Sequence, residues 1–226
     1  MVVLILAAIG LSGIAGGGWL VYRELARPAT RAEATAAGQA EIGSRWARLT
    51  AGQMFPAAIG YTGPSGARTD AYLVGIAPRA SCSRALDPQA AAALGRQGCR
   101  TVLRATYTDA SRTLVLTAGV AVMPSTGAAL RAVTAFGARQ PQGGVKAVPF
   151  PGTVADLPGT AASDWFGIFH AGPYVVLFAA GYADGQSVRV TAVNPALADL
   201  AFGVVRPLAG VMALGGPPCQ RPDIQC

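Results

Sequence analysis

The chain has 226 residues, 52% of them hydrophobic and 13% charged, with a formal net charge of +7. Its arginines are scattered and no nucleic-acid-binding motif accompanies them. The charge therefore argues against nucleic-acid readout and for attraction to anionic lipid heads or anionic wall polymers.

Val2 to Tyr22 is an apolar run of 21 residues without a charged side chain, followed by Arg23. At about 1.5 Å of rise per residue, a helix of this length just crosses a hydrocarbon core of about 30 Å. Cleaved signal peptides have a basic n-region and an apolar stretch of roughly 7–15 residues before a small-residue cleavage site. This run has no basic residue before it, is longer, and ends in Trp19, Leu20, Val21 and Tyr22. Aromatic rings such as these suit a membrane interface, so the run reads as an uncleaved signal anchor over residues 1–22. Gly13 and Gly17 form a small-xxx-small pair that would let a second helix approach, though glycine-rich composition accounts for the spacing equally well. Arg23, Arg27 and Arg31 follow the run and would place its C-terminal side in the cytoplasm. The cysteines argue for the opposite side. A start upstream of Met1, carrying basic residues, would reconcile the two.

Residues 23–44 have high helix propensity and little apolar periodicity, which predicts a solvated helical stalk broken near Pro28. The first aromatic and apolar cluster, RWARLTAGQMFPAAIGY, opens a domain expected over residues 45–218. Its apolar content suffices for one core. Strands are predicted at Thr69–Ile76, Arg100–Thr108, Thr113–Val122, Trp165–His170, Tyr174–Tyr182 and Val188–Val193. Asp109-Ala110-Ser111-Arg112 links the second and third as a hairpin, and Ala171-Gly172-Pro173 links the fourth and fifth. A helix-like segment follows each hairpin, one after Ser125-Thr126 and one after Asn194-Pro195. The second of these, Ala196 to Gly215, carries Asp199, Arg206 and Pro207. It reads as a packed helix, kinked or broken at Pro207, rather than a second membrane span. The fold class expected is α+β: a mostly antiparallel sheet with helices on one face.

Four cysteines, Cys82, Cys99, Cys219 and Cys226, suggest two disulfides in an oxidising compartment. Four cysteines permit three pairings, of which Cys82–Cys99 and Cys219–Cys226 are the most local. The first would clasp a helix spanning Asp87 to Gly95, with Asp87 as N-cap, Pro88 at N1 and Gly95 as the C-terminal stop. The second would tie down a proline-rich tail over residues 219–226. Zinc is the rival reading. It lacks a C-x2-C pair, and only one histidine is present to help. Residues 138–163 hold four prolines and four glycines and predict an irregular crossing or a binding arm. Phe150 is the large apolar residue there that can dock.

No P-loop, Rossmann glycine pattern, HExxH, EF-hand or G-x-S-x-G motif is present. His170, the one histidine, lies in an aromatic strand and would be the base of any envelope hydrolase. Arg104 shares a strand face with Thr106 and Thr108 and is a candidate anion-binding residue, or an ordinary solvated strand arginine. No catalytic residue, cofactor or metal ligand is assigned; Arg104, Phe150 and His170 are the binding candidates.

The segments RWARLTAGQMFPAAIGY and GCRTVLRATYTDASRTLVLTAGVAVMP resemble single-pass, membrane-anchored proteins of high-GC Gram-positive (actinobacterial) cell envelopes. The resemblance covers much of Arg45 to Pro124. It implies a domain outside the plasma membrane and transfers no catalytic residue. These features together predict a membrane-tethered extracytoplasmic binding domain, a non-enzymatic accessory of an envelope or secretion assembly, with a protein partner. A small-ligand sensor or carrier, with a pocket between sheet and helices, is the alternative.

Overall fold

The computed structural model describes residues 17–19, 21–23, 26–138, 143–156, 164–185 and 194–214. Most of the apolar run, Gly13, the expected strand Val188–Val193, and Cys219 with Cys226 lie outside them. Gly17 lies within them, with open space around the position of a Cβ. The chain divides into two compact units, residues 1–40 with 215–226, and residues 41–214.

Helix α1 spans Arg31–Arg48. Thr30 and Glu33 start it with a reciprocal cap: the Glu33 amide donates to Thr30 Oγ1, and the Thr30 amide donates to Glu33 Oε2. Arg27 clamps the same carboxylate at 2.6 and 2.9 Å. That guanidinium and the Thr30 amide hold the Glu33 pKa down at about 2.

The second unit is a six-stranded, fully antiparallel sheet in the order β1-β2-β3-β4-β6-β5. The strands are β1 Ala58–Thr62, β2 Arg68–Ala80, β3 Thr101–Asp109, β4 Leu114–Val122, β5 Trp165–Ala171 and β6 Tyr174–Tyr182. The two predicted hairpins are present. Asp109 builds the first turn: its carboxylate accepts from the Thr113 and Leu114 amides at 2.9 and 2.8 Å, and Arg112 takes a positive φ of 59°. β1 was not anticipated, because Gly60 and the nearby Pro56 interrupt a short run. β2 continues past its expected end at Ile76 because the register shifts around Pro78, the kind of irregularity at which a strand tolerates proline.

Helices cover both faces of the sheet, not one. On the first face, α2 (Ala51–Met54) and α6 (Pro195–Ala213) close a core with Tyr107, Leu116, Val120, Val176 and Phe178. On the second, α3 (Cys82–Ala85), α4 (Pro88–Arg96) and α5 (Thr126–Gly137) pack on Val102, Ala121, Val175 and Leu177. The expectation of one face failed because β4 and β6 are central strands. Their apolar residues run without alternation, so each presents a buried face to both sides. The helices that follow the two hairpins, α5 and α6, accordingly lie on opposite faces.

Helix α6 is the one described helix long and apolar enough to cross a membrane. Its apolar stripe, including Leu200, Val204, Leu208 and Met212, is buried in the first core. It runs unbroken through Pro207. The proline ring would crowd the carbonyl four residues back, which belongs to Gly203. That glycine also lets the helix approach β1: a Cβ there would lie 2.3 Å from Tyr61 Cβ.

The Cys82–Cys99 disulfide forms, with a Cα–Cα distance of 6.3 Å, and brackets α4. Helix α4 ends at Arg96, and the glycine that closes it is Gly98 rather than Gly95. Gly98 takes φ +82°, its amide donates to Gly95 O, and the Cys99 amide donates to Leu94 O, which is a Schellman closure. Asp87 stands at the N-cap position, but its carboxylate accepts from the Gly144 amide at 2.8 Å instead.

Candidate aromatic cleft

The three residues singled out from sequence do not form one site. Arg104 does share the face of Thr106 and Thr108, but that face is not open. Residues 143–156 cross it as a strap. Lys146 O receives a hydrogen bond from Arg104 Nη1 at 3.4 Å, and burial draws the guanidinium pKa below its ordinary value. Thr106 and Thr117 hold the strap further on: Thr106 Oγ1 donates to Val148 O at 3.0 Å, and Thr117 Oγ1 accepts from the Val148 amide at 3.1 Å. Phe150 docks, as a packing residue. Its ring sits over Gly75, where a Cβ would come within 2.3 Å of Phe150 Cε1.

His170 is exposed on β5, in register opposite Val175. Asp164 precedes the same strand, six residues away, which is roughly 20 Å along extended chain. His170 therefore has no acid partner from its own strand. Among the described residues no group of three or more His, Cys, Asp or Glu is placed to hold a metal.

The structure instead assembles a cleft of ≈ 450 Å³ between β5 and α6, lined by Trp165, Phe166, Gly167, Ile168, Phe169, Phe178, Phe202 and Arg206. Strand alternation puts Trp165, Gly167 and Phe169 on the face of α6. Phe178 comes from β6, directly opposite Gly167. A Cβ on Gly167 would lie 2.4 Å from Phe178 Cε1, so the glycine opens the space into which that ring turns. Trp165, Phe178 and Phe202 pack edge to face, with centroids 4.9, 5.4 and 6.0 Å apart. Phe202 remains 40% exposed. One turn on, the Arg206 guanidinium stands 5.1 Å from the Phe202 ring centre.

Sequence reading recognised WFGIFH as a strand and ALADLAFGVV as a helix, but not that they share a site. Its available signal was Phe202 with Arg206 at i,i+4 in an otherwise apolar helix. A second cleft, ≈ 510 Å³, lies by the β3–β4 turn and is lined by residues including Tyr72, Thr108, Arg112 and Thr153. It is more polar and has no comparable cluster of rings.

Comparison with protein-family models, curated proteins and solved structures returned no match.

Proposed function

We propose that this chain is a membrane-tethered, extracytoplasmic binding domain: a non-enzymatic accessory of an envelope or secretion assembly that takes a protein partner at the aromatic cleft. The observation that carries the reading is the cleft itself. Phe202 and Arg206 lie exposed over a partly buried Trp165 and a buried Phe178, and aromatic and arginine side chains are enriched among the anchors of protein interfaces. The apolar run at Val2–Tyr22 supports the tether. The Cys82–Cys99 disulfide supports an oxidising compartment, since disulfides persist there. The small-ligand reading favours an enclosed space between sheet and helices, whereas side chains fill the interface of α6 with the central strands and the cleft lies at the β5 edge. Co-purification of the full chain in mild detergent tests the proposal. A defined partner should accompany the wild-type chain and be lost from Phe202→Asp. A chain that migrates alone under all mild conditions would refute it.

A further inference from the structure

We infer that the outer edge of β5 and the cleft beside it receive an extended, acidic segment of the partner protein as a seventh strand. An apolar side chain of that segment fills the cleft, and a carboxylate of the same segment meets Arg206. This rests on the binding function proposed above and specifies its mode.

Among the described residues, β5 is the last strand of the sheet, bonded to β6 on one side. Among the described residues, no backbone hydrogen bond reaches its outer edge. Edge strands are ordinarily guarded by a lysine, a proline, a bulge or a charged side chain. WFGIFHA has no lysine, proline or acidic residue, and its register against β6 runs from Trp165 to Ala171 without a shift. The opposite edge differs: beside Gly60 of β1 stand the side chains of Asp70 and Arg68. Strand addition takes affinity from main-chain hydrogen bonds and specificity from pockets for alternate side chains. The β5 edge supplies the first and the adjoining cleft the second.

Charge selects the occupant. Among the described residues, Arg206 is the one charged side chain lining the cleft, and no carboxylate pairs with it. A second copy of the chain would bring another Arg206 and the same net charge of +7, which repels. A phospholipid could meet Arg206 and the apolar lining but would leave the backbone donors and acceptors of the β5 edge unpaired. An acidic, extended polypeptide satisfies the backbone edge, the apolar floor and the arginine together.

The test uses the full chain in detergent micelles, panned against a phage library of random linear peptides with empty micelles as control. The most enriched peptides are then synthesised and their binding measured by fluorescence anisotropy. Enriched peptides should carry an aromatic or large aliphatic residue two positions from Asp or Glu, the spacing that shares one strand face. Arg206→Glu should weaken binding at least tenfold while leaving the circular dichroism melt unchanged. Backbone N-methylation should abolish binding at alternate peptide positions and be tolerated at those between. Equal binding by Arg206→Glu, tolerance of methylation throughout, or no enrichment over empty micelles would overturn the inference. So would Arg206-dependent binding to phosphatidylglycerol vesicles that the peptides do not compete, or a dimer that Arg206→Glu dissociates. A co-purifying partner lost on Phe202→Asp, with no peptide selected, would reject strand addition alone and leave the broader binding function standing.

Discussion

Thr106 and Thr117 are buried hydroxyl residues on neighbouring strands, 3.0 Å apart and bonded to both backbone groups of Val148. They explain why a segment rich in proline and glycine lies ordered across a sheet: its polar groups are satisfied by side chains rather than by a ladder. Thr117→Val keeps the shape but removes the acceptor for the Val148 amide. It should cost about 1–3 kcal/mol in urea denaturation and speed amide exchange through residues 143–156. Glu33 makes the other residue-scale prediction. Its pKa of about 2 lies below the ordinary 4.5, so its capping contribution is complete above pH 4.5 and is lost as pH falls from there toward 2. A carboxyl NMR titration should place the midpoint near 2 in the wild-type chain, and near the ordinary value in Arg27→Ala with Thr30→Ala. A wild-type midpoint near 4.5 would count against the clamp.

Among the elements, α4 and α6 show how local signals and packing divide the work. The disulfide bracketing α4 closes a loop with a sequence separation of 17, for which chain entropy gives about 3 kcal/mol. Cys82→Ser with Cys99→Ser should lower unfolding stability by that order, measured without reductant. Helix α6 depends on a close approach instead. Gly203→Ala raises helix propensity yet places a methyl group against Tyr61, with 2.3 Å to its Cβ. Overpacking of this kind costs typically 1–3 kcal/mol, more than the propensity gain of about 1 kcal/mol. The variant should therefore melt below wild type; a higher melting temperature would show that α6 can slide from β1. Arg45 adds a further tie at the other end of α6, donating to Val211 O at 2.6 Å while its Nε holds Glu41 at 2.9 Å. Arg45 lies one residue past the predicted stalk, 23–44, within the same helix α1.

For the molecule as a whole, the cleft and the lone histidine separate binding from catalysis. Phe202 packs on Trp165 and Phe178 at the rim of the core, so Phe202→Asp should lower the melting temperature by a few degrees while leaving the fold intact and abolishing partner capture. His170→Ala should leave capture intact, because His170 faces away from α6 on the alternate side of β5. Loss of capture in His170→Ala with Phe202→Asp unaffected would move the site to the other face of that strand.

The hairpins at Asp109–Arg112 and Ala171–Pro173, the helix starts at Ser125-Thr126 and Asn194-Pro195, and the local disulfide were legible in the amino-acid order because their partners lie within a few to seventeen residues. Asp199, Arg206 and Pro207 favour a packed helix over a membrane span for α6, and the structure buries its apolar stripe in the core. The unbroken apolar runs of β4 and β6 carry a sequence signal for burial on both faces, which the one-face expectation passes over; which helix covers which face is not legible in the residue order. Nor could it bring Trp165 and Phe178 to Phe202, because that meeting depends on β6 inserting between β4 and β5 and on α6 crossing back over the sheet. Short-range chemistry determined the parts; long-range burial, which scores area rather than order along the chain, decided the faces and made the cleft.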